Sequence, residues 1–144
     1  MKTNAARYLD ALAVVGDPTP SHRVLDPVCQ PVILNQRRFR PLRPTSPDDS
    51  RLFQEVLAGE HLLQGVRNRD LRLALYPQEE SDPDKRRLAS GRVTRSFKLL
   101  SSHGLLYRVP KTNYYRTTKK GHAVMSTALQ FRITDMTLLA QTTV

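Results

Sequence analysis

The segment from Gly91 to His122 contains eight Lys or Arg residues and no Asp or Glu. Cationic side chains without carboxylate neighbours are suited to bind phosphates, because each phosphate they neutralise releases condensed counterions. The imbalance is wider than this segment: residues 85–134 carry 12 basic and no acidic side chains, whereas residues 1–84 carry 11 basic and 12 acidic ones. This distribution predicts a polyanionic partner. Nucleic acid fits better than a membrane surface, which would also require an amphipathic helix with bulky apolar residues.

The beginning of this basic region has the period of an α-helix with two unlike faces. Its apolar residues predict one buried face, with Ser96 beside them: Ala89, Val93, Phe97 and Leu100. The other side carries the residues that we predict to contact DNA: Arg87, Ser90, Gly91, Arg92, Thr94, Arg95 and Lys98. Such a helix fits the major groove, where Arg can donate two hydrogen bonds to guanine and Thr can contact a phosphate or a thymine methyl group.

The alternative for this helix is an ordinary solvated surface. Surface helices usually intersperse Glu with Lys, because these pairs stabilise them by some tenths of a kcal/mol. The absence of acidic residues therefore favours a binding face. Gly91 costs about 1 kcal/mol relative to Ala inside a helix, so we expect it either to permit a close approach or to mark a helix start.

Two alternating segments after the helix, LLYRV and NYYRT, predict a β-hairpin whose turn contains Pro110, Thr112 and Asn113. Basic residues cluster at its tip and base, and we predict that they contact phosphate or enter the minor groove: Arg108, Lys111, Arg116, Lys119 and Lys120. The tyrosines of these strands, Tyr107, Tyr114 and Tyr115, either stack on bases or pack against neighbouring helices, as strand tyrosines more often do.

Four helices are expected to position these residues. The first has an apolar stripe of Leu52, Phe53, Val56, Leu57 and Leu63, begins at Ser46 or Asp49 and ends at Gly65. The second is capped by Asn68, has Leu71, Ala74 and Leu75 on its apolar face and stops before Pro77. The third begins at Ser81 or Asp82, with Pro83 at its first position, and reaches His103-Gly104. Thr118 caps the last. The predicted fold is mainly α with a small β-hairpin.

Two regions are predicted: an N-terminal arm at residues 1–47 and a helical domain at residues 48–144. The arm is expected to contain a short helix with Tyr8, Leu9, Leu12 and Val15, and a hairpin around Asn35-Gln36. Neither a signal peptide nor a membrane-spanning run is expected. The single Cys29 excludes an intramolecular disulfide and favours a cytoplasmic setting.

The sequence offers little for an enzyme, and neither a cofactor nor a metal ion is expected. The four histidines, His22, His61, His103 and His122, are dispersed and lie near no paired carboxylates. A glycine-rich phosphate loop and an HExxH motif are both absent. A metal-dependent nuclease would need several separated carboxylates, and the basic region has none.

The pair Gly104-Leu105 at the end of the basic helix, followed by a Tyr115-x-x-Thr118-x-x-Gly121 step after the hairpin, resembles the winged helix-turn-helix of bacterial regulators of the MarR and ArsR type. The resemblance covers about Leu52 to Leu129, although the segment from Pro77 to Ala89 is longer than the usual turn. It implies a winged-helix fold that binds double-stranded DNA as a transcriptional regulator or DNA-targeting module, and a possible homodimer through its first and last helices.

Three alternatives remain open from the sequence. The first alternative is a protein-interaction module that retains the winged-helix shape. It would be favoured if the arm or a partner covered the basic face. An RNA-binding module would use the same charge. The whole chain also resembles the C-terminal part of larger bacterial proteins without an assigned function, which would make it a non-functional fragment.

Overall fold

The computed structural model describes residues 21–142, and the side chains of residues 22–134. Its helices are α1 (Ser21–Leu25), α2 (Pro47–Val56), α3 (Asn68–Leu75), α4 (Pro83–Ser102) and α5 (Lys119–Thr142). Its strands are β1 (Val32–Leu34), β2 (Arg37–Phe39), β3 (Leu106–Arg108) and β4 (Tyr115–Thr117). This part of the chain is therefore mainly helical with small antiparallel hairpins, which confirms the coarse fold prediction. The helix expected around Tyr8 to Val15 lies outside the described residues.

The first hairpin pairs β1 with β2 in the register Val32↔Phe39, Ile33↔Arg38 and Leu34↔Arg37. Its two turn residues, Asn35 and Gln36, have φ angles of 51° and 64°. Positive φ at both positions belongs to the tight turn whose twist matches that of the flanking strands. The hairpin predicted around Asn35-Gln36 is therefore confirmed.

Residues 22–46 pack on the helical part of the molecule. Val28 and Leu42 are 1% and 2% exposed and belong to the same apolar core as Phe53 and Phe97. The Leu42 N–H donates to the Val28 carbonyl at 2.8 Å. The chain on both sides of residue 47 thus contributes to one core.

Helix α2 begins as expected but ends earlier. Ser46 Oγ accepts a hydrogen bond from the Asp49 N–H at 3.2 Å, which is the N-cap geometry. The helix stops at Val56, and Leu63 is 88% exposed, so the prediction that Leu63 continues the apolar stripe is wrong. Gly65 instead has a φ of 103°, and a Cβ there would lie 2.4 Å from the Tyr115 carbonyl oxygen. Gly65 is therefore needed where the chain meets β4, not as a helix stop.

The predicted Asn68 cap of α3 is also wrong. The N-cap is Arg67, whose N–H donates to Asp70 Oδ2 at 2.9 Å, while Asn68 is the first helical residue. The amide of Asn68 is engaged across the structure, because Nδ2 donates to the Ser90 carbonyl at 2.9 Å. The side chain of Asn68 therefore bonds to Ser90 on α4 instead of capping its own helix.

Helix α4 begins where Asp82 and Pro83 predict. Asp82 Oδ1 accepts from the Asp84 N–H at 3.0 Å, and the helix runs without interruption to Ser102. Gly91 therefore lies well inside the helix, and the helix-start explanation for it is wrong. The long segment after Pro77 forms a short 3-10 helix, Pro77–Glu79, and then the first turns of α4, which are exposed through Leu88.

The second hairpin pairs β3 with β4, and an isolated bridge joins Val66 to Tyr115 on the other side of β4. Helices α1 and α2 both pack against α5, and α3 packs against α4. Thr118 caps α5, since its Oγ1 accepts from the Gly121 N–H at 2.9 Å. None of the helices within residues 21–142 is long and apolar enough to cross a membrane.

Candidate nucleic-acid interface

Helix α4 separates an apolar face from a basic one, as its period predicts. The four residues predicted to be buried are at most 2% exposed: Ala89, Val93, Phe97 and Leu100. Ser96 lies beside them, half-buried. Because the helix packs by this face, the opposite side is presented to solvent.

Arg95 and Lys98 form the centre of the exposed face. Both side chains are exposed, and no described residue forms a hydrogen bond or ion pair with either. Thr94 lies on the same side of the helix and is exposed. Gly91 continues this side toward the N-terminus, and a Cβ there would have only Arg95 Nη1 within 4 Å, at 3.8 Å. The centre of the face is therefore both cationic and open.

Two of the predicted arginines on α4 have acidic partners. Arg87 Nη2 lies 3.3 Å from Asp84 Oδ1, in an exposed pair. Arg92 Nη1 lies 3.4 Å from Glu79 Oε1, and its guanidinium lies over the Tyr76 ring at 5.5 Å. Exposed pairs of this kind contribute little energy, so a phosphate can displace these carboxylates. Arg95 and Lys98 need no such displacement.

Ser90 and Thr94 join α4 to the N-terminus of α3. Ser90 Oγ donates to Asn68 Oδ1 at 3.1 Å, and Thr94 Oγ1 accepts from Asn68 Nδ2 at 3.0 Å. The Thr94 hydroxyl also donates to the Ser90 carbonyl at 3.0 Å. Both hydroxyl groups therefore fix the position of α3 against α4, and only the methyl group of Thr94 remains for a thymine contact.

The basic residues of the second hairpin are all exposed: Arg108, Lys111, Arg116, Lys119 and Lys120. Arg108 Nε donates to the Thr112 carbonyl at 3.0 Å, which directs this guanidinium along the turn. Lys111 has a φ of 62° after Pro110, where Gly or Asn is usual. The turn thus places Lys111 at the tip of the hairpin.

The tyrosines divide between the two predicted roles. The Tyr115 ring stacks on Phe97, with centroids 4.3 Å apart and planes at 16°, so it packs against α4. The Arg67 guanidinium lies 5.2 Å from the Tyr114 ring centroid. Tyr107 is 45% exposed. Tyr107 is therefore the one of the three whose ring faces solvent enough to meet a base.

A cleft of about 500 Å³ joins α3, α4 and the second hairpin, and we call it the α3–α4 cleft. Its cationic lining residues are Arg67, Arg69, Arg72 and Arg108. Asp70 and Glu80 pair with two of them, Arg67 and Arg72. Burial raises the pKa of Asp70, but hydrogen bonds from the Arg67 backbone and side chain outweigh it, so this pKa lies below its usual value. The carboxylate thereby stays charged and fixes Arg67.

A second cleft, of about 410 Å³, lies on the other flank of α4 and was not expected from the sequence; we call it the β2–α4 cleft. Its cationic lining residues come from β2 and from α4: Arg37, Arg38, Arg40, Arg92, Arg95 and Lys98. The run Arg37-Arg38-Phe39-Arg40 could have indicated this cleft. Its positive charge does not stand out in the sequence, because the acidic residues of the first half of the chain balance it in the net charge. The structure thus adds three arginines to the basic surface.

In the part of the chain that the structure describes, no three His, Cys, Asp or Glu side chains could together hold a metal ion. Burial, and secondarily the charge of Asp26, raises the pKa of the Cys29 thiol, so this cysteine has less thiolate than usual. His103 is buried, with Nε2 at 2.8 Å from the Arg40 carbonyl oxygen.

Comparison of the chain with protein-family models, with curated proteins and with solved structures found no match.

Proposed function

We propose that this chain is a winged-helix protein of the cytoplasm that binds double-stranded DNA, as a transcriptional regulator or DNA-targeting module. Helix α4 enters the major groove, and the β3–β4 hairpin serves as the wing on the backbone or in the minor groove. The observation that carries the proposal is the centre of the α4 face, where Arg95 and Lys98 are exposed and have no acidic partners among the described residues.

The order of elements supports the finer assignment of the fold. Along the chain, the elements follow in the order α2, the isolated β-bridge residue Val66, α3, α4, the β3–β4 hairpin and α5. In a helix-turn-helix, the second helix of the motif lies in the groove and the first crosses the backbone. Here α3 and α4 take those places, and the α3–α4 cleft brings Arg69 and Arg108 to the same side.

The main alternative, a protein-interaction module, would be favoured by coverage of the basic face. In the described part of the chain, the arm lies beside α4 and leaves Arg95 and Lys98 exposed. A homodimer through the first and last helices stays a prediction.

The proposal is tested by charge reversal on α4. We expect Arg95→Glu/Lys98→Glu to bind a labelled duplex about 100-fold more weakly at 0.1 M salt, because two phosphate contacts are lost. Fluorescence anisotropy measures the affinity, and circular dichroism checks that the variant is folded. Arg23→Glu/Arg43→Glu is the matched control, since it changes the charge equally at residues that line neither cleft.

Two results would contradict the proposal: unchanged duplex binding by the α4 variant, or an equal loss in the control. If a structured RNA competes better than the unlabelled duplex, the α4 face binds RNA rather than DNA.

A further inference from the structure

The β2–α4 cleft carries more positive charge than the fold compensates. Arg40 pairs with Asp49 at 2.8 Å, and Arg92 pairs with Glu79 at 3.4 Å. The other four cations that line the cleft have no acidic partner among the described residues: Arg37, Arg38, Arg95 and Lys98. Like charges around one cleft repel each other and produce a strong local positive potential. A polyanion seated in the cleft would offset that repulsion.

The hairpin that carries Arg37 and Arg38 is fixed at its base. Asp49 is 3% exposed and accepts hydrogen bonds from Arg40 Nη2 at 2.8 Å and Arg40 Nη1 at 3.2 Å. It also accepts from the Arg43 N–H at 2.7 Å. The hydrogen bond with Asp49 is the main cause that raises the pKa of Arg40. Since the base is held this way, the backbone that carries the arginines of β2 is fixed before any ligand arrives, which lowers the entropy cost of binding.

The cleft is continuous with the face of α4. Arg95 and Lys98 line the cleft and also form the centre of the helix face that we assign to the major groove. The hairpin therefore lies at the edge of that face. A duplex backbone is an extended chain of phosphodiesters, so a duplex held by α4 can reach both surfaces at once, whereas a small phosphate compound would fill the cleft alone.

We infer that the β1–β2 hairpin is a second backbone clamp, in which Arg37 and Arg38 bind phosphodiesters of the duplex that α4 holds. The inference rests on the proposed function and extends it to the opposite flank of α4 from the β3–β4 hairpin. The two hairpins would then hold the backbone on the two sides of the groove that α4 occupies. These contacts carry no sequence information and fix the orientation of the protein on the duplex.

The test is neutralisation of the two arginines. For Arg37→Gln/Arg38→Gln, the slope of log K against log salt concentration should become shallower by about 1.8, because each phosphate contact contributes about 0.9. At 0.1 M salt the same relation gives a loss of about eightfold per contact. Arg23→Gln/Arg43→Gln removes the same charge away from both clefts and should leave the slope unchanged.

Ile33→Gln is the control within the hairpin. Ile33 pairs in register with Arg38 and is 76% exposed, so its substitution disturbs the same part of the hairpin without changing its charge. Its duplex affinity should remain within about twofold of the parent. If Ile33→Gln weakens binding as much as the arginine variant, the hairpin makes an apolar contact and the phosphate clamp is contradicted.

Tripolyphosphate distinguishes the backbone from a free phosphate compound. If it raises the melting temperature of the parent but not of Arg37→Gln/Arg38→Gln, and the two bind duplex equally, the cleft belongs to a small ligand and the inference fails. Equal salt slopes for parent and variant, with steep duplex binding by both, would overturn the clamp and leave the proposed function intact. A parent chain that binds no duplex would overturn both.

Discussion

Gly91 lies at a position where neither the backbone conformation nor the packing of the described residues requires a glycine. It lies inside α4, where Gly costs about 1 kcal/mol relative to Ala, and its φ is not in the left-handed region that favours glycine. The space around it is open, since a Cβ added there would have only Arg95 Nη1 nearby, at 3.8 Å. Under the proposed function, close approach of a duplex to α4 would give a glycine at this position a role.

We predict opposite effects of Gly91→Ala on stability and on binding. The free energy of unfolding should rise by up to about 1 kcal/mol, since Ala favours the helix. The duplex affinity should fall about tenfold, which corresponds to about 1.4 kcal/mol, because the added methyl group keeps the backbone of α4 away from the groove. Denaturant unfolding and anisotropy measure the two quantities. An increase in stability with unchanged affinity would show that Gly91 does not face DNA.

At the scale of elements, the start of α5 packs closely against the residues that precede β3. Thr118 Oγ1 donates to the Gly104 carbonyl at 2.7 Å and accepts from the Gly121 N–H at 2.9 Å. Helix α5 lies so close to the chain at Leu105 that a Cβ on Gly121 would be 2.0 Å from the Leu105 carbonyl oxygen. The spacing of Gly104, Thr118 and Gly121 therefore reflects one packed corner that supports the second hairpin.

We predict that Gly121→Ala destabilises the protein by about 3 kcal/mol, as overpacking against backbone atoms does. The melting temperature should fall by about 10 °C, as scanning calorimetry would show. Gly59→Ala is the matched control, because a Cβ at Gly59 would meet nothing within 4 Å, and it should change stability by less than about 0.5 kcal/mol. Equal stability of the two variants would contradict the close packing at this corner.

Local signals predicted most element boundaries, and long-range contacts explain where they failed. Asp82 and Pro83 located the start of α4, and Thr118 located the start of α5, because a cap acts within a few residues. Asn68 has equally suitable cap chemistry, yet Ser90 and Thr94 engage its side chain from a distant part of the chain. Such competition between local and tertiary partners cannot be inferred from residue spacing alone.

For the whole molecule, the period of α4 predicted which face is buried but not what lies beside it. Ala89, Val93 and Phe97 are buried as expected. The placement of β2 against α4 depends on the buried Asp49 and its bonds to Arg40 and Arg43, and no local pattern shows that contact. The sequence therefore predicted one basic flank of α4, and the structure has two.

The salt dependence of duplex binding tests the central claim most directly. Six of the predicted contact residues are exposed and have no acidic or hydrogen-bonding partner among the described residues: Arg95, Lys98, Lys111, Arg116, Lys119 and Lys120. If each of these six neutralises one phosphate, they give a slope of log K against log salt concentration of about −5.4, and the two contacts inferred for Arg37 and Arg38 would bring it to about −7.2. The affinity of the parent chain for a duplex should then fall at least about 1,000-fold between 50 and 200 mM salt. Absence of duplex binding at about 50 mM salt, or an affinity that salt does not change, would contradict the account.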